Sequence, residues 1–231
     1  MERLVFDVET VGASWETLDP AVQESLLRSA ASEDDRQEVR DSLSLFPVTA
    51  QIACVALYSP EQDHAAVFFQ APQGGVQAVR EEKAVFVPCT EKELLTHFWE
   101  AAARAKQFVT FNGRSFDCPF LLVRSAANRV APTADLMPNR YSNQHVDLMD
   151  QFTYFGAFRR RFALDVWCSA LGVEQPKREV HGSDVGALYA AGEYMKIARY
   201  CLGDAIATAQ LFDLWSRYMR YPGPGQEQTP R

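Results

Sequence analysis

Cysteine is sparse and carries no pairing pattern: Cys54, Cys89, Cys118, Cys168 and Cys201 make an odd five, with no CxxC spacing. That excludes a disulfide framework or a zinc knuckle and fits a reducing compartment. No apolar run approaches the ~18–20 residues that cross a bilayer. Residues 1–7 lack the long apolar core of a signal peptide, so a cytoplasmic protein with no membrane partner is expected. Basic charge is also short, 23 Lys+Arg against 30 Asp+Glu, for a net −7. A broad basic face that coats duplex DNA is therefore disfavoured. A narrow channel that grips one nucleic-acid end is not. No internal repeat is visible.

What is present suffices for a packed core. Hydrophobic residues make up 47 % of 231, which excludes global disorder and indicates one domain with room for an insertion. The chain opens on a short apolar strand at 4–8. Residues 16–41 carry eight acids and three arginines, with Leu18, Val22, Leu26 and Leu27 at helical spacing, so this acidic insert (about 16–44) reads as one or two surface helices. Strands follow at 49–58 and 65–70, separated by the turn residues Ser59-Pro60-Glu61-Gln62-Asp63. The stretch from Pro72 to Pro88 fits no single element.

Thr90-Glu91-Lys92-Glu93 is a capping-box pattern that starts a helix over about 91–105. A fourth strand is expected at 107–111, a helix through 120–123, a short fifth strand at 145–148, and a long helix over 193–219. Three prolines and two glycines make the tail 222–231 a disordered segment. The order implies an α/β domain over 1–221 with a five-stranded mixed sheet flanked by helices.

The informative residues are acids in apolar settings. Asp7 interrupts the first strand, and Glu9 follows at i+2, where strand side chains share a face. Two carboxylates that close repel and need a positive partner, unless Glu9 lies already in a loop and Asp7 only caps the turn. A second acid, Asp117, falls in the first turn of the helix after Asn112-Gly113, where capping alone also favours Asp. A third, Asp204, sits at the centre of an apolar helical stripe made by Ile197, Tyr200, Cys201, Thr208, Leu211, Phe212 and Trp215. A buried carboxylate there must be paired, neutralised or metal-bound. Taken together, the four acids suit two divalent cations, and all-oxygen ligation favours Mg²⁺ or Mn²⁺ over zinc. Such a pair of metals serves displacement at a phosphodiester. Arg159-Arg160-Arg161 is the one dense basic run; it either grips phosphates or forms a solvated loop. Lys177-Arg178 presents the same two readings. His145 and His181 lack ligand spacing and read as structural, and Trp99, Trp167 and Trp215 as core.

These residues, in this order, resemble the DEDD superfamily of 3′–5′ exonucleases, which has a ribonuclease-H-like fold. Phe6-Asp7-Val8-Glu9-Thr10 is similar to the first motif, residues 112–117 to the second, and Tyr200-Cys201-Leu202-Gly203-Asp204 to the Tyr-x-x-x-Asp third motif of the tyrosine branch. Within that branch, Phe111-Asn112-Gly113-Arg114-Ser115-Phe116-Asp117 resembles the exonuclease domain of family-B DNA polymerases and a free-standing group of predicted exonucleases. His145-Val146-Asp147-Leu148, the Leu171-Gly172 corner and Gly182-Ser183-Asp184-Val185 share that likeness. The acidic insert departs from it.

The resemblance implies a ribonuclease-H-like fold and release of nucleoside 5′-monophosphates from the 3′ end of single-stranded DNA, in preference to RNA. It implies Asp7, Glu9, Asp117 and Asp204 as ligands of two divalent cations. Tyr200 then orients the attacking water; a tyrosine, with an ordinary pKa near ~10, is a poor base at neutral pH. Thr10, through its backbone, and Asn112, Arg160 and Lys177 are the expected substrate contacts. Two other readings stand beside this one: a 3′–5′ exoribonuclease, and a ribonuclease-H-like domain that binds nucleic acid or protein without cleaving.

Overall fold

A computed structural model describes residues 1–174 and 180–221. Lys177 and the tail 222–231 lie outside the described residues. Strand β1 (Arg3–Gly12) leads into the insert helices α1 (Pro20–Leu27) and α2 (Glu33–Asp41). Strands β2 (Ala50–Ser59), β3 (His64–Phe69), β4 (Val79–Arg80) and β5 (Ala84–Pro88) follow, and then helix α3 (Glu91–Ala102). The second half alternates: β6 (Gln107–Thr110), α4 (Asp117–Asn128), β7 (His145–Asp147) and α5 (Leu148–Phe152). Helices α6 (Leu164–Leu171), α7 (Val185–Ala190) and α8 (Tyr194–Leu214) complete it.

The mixed sheet has seven strands, in the order β4-β5-β3-β2-β1-β6-β7, not the five expected from the sequence. The two additional strands come from the stretch that fitted no element. Gly74-Gly75 and the charged run Glu81-Glu82-Lys83 hide the short alternation of β5, while β4 has only two residues, both exposed. Pairing is antiparallel for β1 with β2 and β2 with β3, and parallel for β1 with β6 and β6 with β7. An antiparallel meander is thus joined to parallel strands, in a mixed sheet as expected.

Alternation along β1 decides where the acids go. Leu4, Phe6 and Val8 enter the core formed with α3 and α4, around Phe98, Trp99, Phe120 and Leu121. Val5 and Val11 face the opposite side, against residues of α8. Asp7 and Glu9 share that side. Because β1 runs to Gly12, Glu9 lies within the strand and not in a loop.

Opposite Glu9 the β1–β2 register slips. Glu9 pairs with Cys54 and Thr10 with Ile52, so Ala53 is the extra residue of a bulge. The Ile52 amide there donates to Glu91 Oε1 at 2.8 Å. Glu91 also accepts Arg124 Nε at 2.8 Å and Nη2 at 2.7 Å, and Asn128 Nδ2 at 2.9 Å. One buried carboxylate thus ties the bulge to the start of α3 and to α4. Removing one partner of a buried pair strands the other's charge. Arg124→Met is expected to lower the unfolding free energy by about 3–5 kcal/mol in urea titrations. Lys106→Met, which removes only an exposed pair with Glu2, should leave the urea midpoint unchanged.

Candidate metal centre and active site

The second acidic site is built by a turn that begins where β6 ends. Asn112 takes φ +63°, a left-handed conformation that Asn tolerates. Gly113 is needed for space: a Cβ there would lie 2.5 Å from the Thr110 side chain. Asp147, buried at the start of α5, holds the turn from across the sheet edge. Its Oδ1 accepts the amides of Asn112 (2.8 Å) and Met149 (2.9 Å), and its Oδ2 the amide of Arg114 (2.9 Å). Helix α4 then starts at Asp117, whose carboxylate is buried.

Helix α8 contributes from the other side. Asp204 is buried within the apolar stripe predicted for it. Tyr200 lies one turn earlier, on the same face, and its hydroxyl is 3.9 Å from the point a Cβ on Gly182 would occupy. Cys201 donates its thiol to the Asp7 carbonyl at 3.3 Å.

Asp7, Glu9, Asp117 and Asp204 come together from β1, α4 and α8. Burial pushes the Asp7 carboxyl well above the ordinary carboxylate range, and the charges of Asp117, Glu9 and Asp204 push it further, against the Cys201 hydrogen bond. Asp117 is pushed up to about 7, chiefly by burial, with Asp147 and Asp204 adding repulsion while its own and Val8's backbone amides oppose the shift. Asp7 Oδ2 is enclosed and has no hydrogen-bond partner among the described residues. Donor atoms of Asp7, Glu9 and Cys201 lie within 4.8 Å of one another. Burial raises the Cys201 pKa well above the usual thiol range, and the thiol is engaged by the Asp7 carbonyl. A close set of hard carboxylates, one with an orphaned buried oxygen, fits Mg²⁺ or Mn²⁺.

Asp7 and Asp204 line an open cavity of about 330 Å³, together with Phe111, Asn112, Met149, Arg161, Phe162, Ala163 and Leu164. The family model that matches the chain over residues 65–228 is described as a predicted 3′–5′ exonuclease related to the exonuclease domain of PolB. The chain belongs to that family. No curated protein matches it. Membership in this exonuclease family places the chain among predicted nucleases, with nucleic acid as the implied substrate. The match includes Asn112, Asp117, Tyr200 and Asp204 and begins after β1. Asp7 and Glu9 lie before the matched range, and the fold brings them beside Asp117 and Asp204 within it.

The expected substrate contacts lie in different surroundings. Asn112 lines the cavity. Thr10 is buried, and its hydroxyl donates to the Ser44 carbonyl at 2.7 Å, so its side chain serves the insert. Arg160 lies over the Phe162 ring. Its neighbour Arg161 is the one that lines the cavity, donating to Asn112 Oδ1 at 3.3 Å. His145 is structural, as the sequence suggests: it bridges the Thr110 hydroxyl and the Leu136 carbonyl, and burial lowers its pKa to about 4.

Two supporting residues, Asp147 and Cys201, have roles that the sequence leaves unassigned. Asp147 stands within the 145–148 stretch that shares the family likeness, with nothing local to mark it as the acceptor for the turn at 112–114. Cys201 stands in the apolar stripe and between Tyr200 and Asp204, with nothing to tie it to the Asp7 backbone.

Protonation of Asp117 favours the fold, because its folded pKa of about 7 exceeds the ordinary aspartate value of 3.8. That contribution is complete below about pH 4 and is lost as pH rises through about 7. In EDTA, Asp117→Asn is therefore expected to raise the urea midpoint at pH values above about 7, with the gap closing toward about pH 4. Parallel pH profiles for the two proteins would contradict the buried, repelled carboxylate.

Proposed function

We propose that the protein is a metal-dependent 3′–5′ exonuclease that removes nucleoside 5′-monophosphates from the 3′ end of single-stranded DNA, as one domain over residues 1–221. The observation that carries this reading is the convergence of four carboxylates from three elements beside an open cavity, with an enclosed Asp7 oxygen that lacks a protein partner. A ribonuclease-H-like fold agrees with the sheet. The strands β3-β2-β1-β6-β7 form a contiguous five-stranded core, and β5 and β4 extend one edge.

Asp7, Glu9, Asp117 and Asp204 would hold two divalent cations, Mg²⁺ or Mn²⁺, which would supply Lewis-acid activation of water and charge stabilisation at the phosphodiester. Tyr200 orients the water, being placed one helical turn from Asp204. Phe111, Met149 and Leu164 give the cavity an apolar wall for a terminal base or sugar, while Asn112 and Arg161 form its polar rim. At about 330 Å³ the cavity is at the small end of ligand sites, in keeping with a single terminal nucleotide. Asp147 positions Asn112 and Arg114 without touching the reacting atoms.

Purified protein is incubated with 5′-labelled single strands of DNA and RNA, in Mg²⁺ or Mn²⁺ and in EDTA. The expected result is a DNA ladder shortening from the 3′ end, blocked by a terminal phosphorothioate and by EDTA. Asp7→Ala should abolish it, and Tyr200→Phe should lower kcat about 100-fold. Shortening of RNA alone would reassign the substrate, and no cleavage of either strand with either metal would overturn the enzyme reading.

A further inference from the structure

The chain between α5 and α6 forms a tight loop at the mouth of the cavity. Thr153 anchors it: its hydroxyl donates to the Met149 carbonyl at 2.6 Å, and its own carbonyl accepts the amides of Gly156 (3.1 Å) and Phe158 (2.9 Å). Tyr154 and Phe155 then adopt φ of +48° and +56°, before Gly156 at +95°. Two successive aromatic residues in the left-handed region are costly, and such conformations persist where the surroundings impose them. Their effect is to keep aromatic surface outside the core. Tyr154 is 61 % and Phe158 49 % exposed.

Arg159, Arg160 and Arg161 follow directly. None forms an ion pair among the described residues, in a chain with a net charge of −7. The loop is continuous with the cavity. Arg161 and Phe162 line it; Arg160 lies 4.8 Å from the Phe162 ring centre, and Phe162 lies 6.3 Å from Phe158. Exposed aromatics interleaved with unpaired guanidinium groups match a single-stranded nucleic acid, which offers open base faces and closely spaced phosphates. A duplex keeps its base faces stacked.

We propose that loop 154–162 is a stacking platform for the single strand whose 3′ end enters the cavity: Tyr154 and Phe158 receive bases, and Arg159, Arg160 and Arg161 receive phosphates. This rests on the exonuclease reading, so its test is separable from cleavage. Binding of a fluorescent single-stranded DNA decamer is measured by anisotropy in EDTA over a range of salt concentrations. Tyr154→Ala and Phe158→Ala should each weaken binding about 10-fold, and Tyr154→Phe should restore it. Arg159→Gln should reduce the slope of log Kd against log salt by about 0.7. Thermal unfolding of each variant should match the wild type, since the substituted side chains are surface groups.

Unchanged affinities and slopes in the variants would overturn the platform, as would duplex bound as tightly as the single strand. If the wild type fails to shorten any strand but binds it through Phe158, the enzyme reading fails and the platform stands. If it shortens DNA while the loop variants bind normally, the reverse holds.

Discussion

Mutual repulsion among carboxylates crowded together at the floor of one cavity is the constraint around which the rest of the molecule is arranged. Asp7, Glu9, Asp117 and Asp204 would separate if carried on mobile chain. Instead, Asp7 and Glu9 lie in a central strand with neighbours on both sides, Asp117 opens a helix, and Asp204 is buried in another. Each position is braced by contacts with no part in the chemistry. Asp147 takes up the three amides of the turn and of α5. Cys201 bonds to the backbone of Asp7, and Glu91 with Arg124 holds the bulge opposite Glu9. Packing is thus set against electrostatic cost, and a bound divalent ion would offset that cost.

The same arrangement explains how an acidic chain can act on a polyanion. Its negative charge is concentrated partly on an insert that packs against the end of β1 through Thr10 and Leu43, and partly in the acid cluster beside the cavity. Positive charge without an acidic partner among the described residues collects beside the cavity, at Arg161, which lines it, and its neighbours Arg159 and Arg160. The protein has no need of a broad basic face if the strand is held at its end, over a few nucleotides.

Much of this was legible in the residues. Asp204 could be found because an apolar stripe of period 3.6 had one position filled by an acid, and Asp7 because an acid interrupted an apolar strand. Asp117 could not be separated from an ordinary helix cap without the turn that carries it. The edge strands were lost because β4 has two residues and β5 follows a run of charge, so neither offers enough alternation to register. Of the basic run, spacing alone could not say which arginine faces the cavity: Arg161 does, and Arg160 turns onto Phe162. Such a choice depends on tertiary contacts that no local pattern records. Asp147 was hidden for the same reason, since its partners Asn112 and Arg114 are more than thirty residues away.

The central claim is that this acid cluster is built to hold cations. Calorimetric titration of Mn²⁺ into the full chain tests it directly, without any substrate. The account predicts saturable binding of two ions per chain, reduced when Asp7 is replaced by Asn. Absence of saturable uptake, or uptake unaffected by Asp7→Asn, would contradict it.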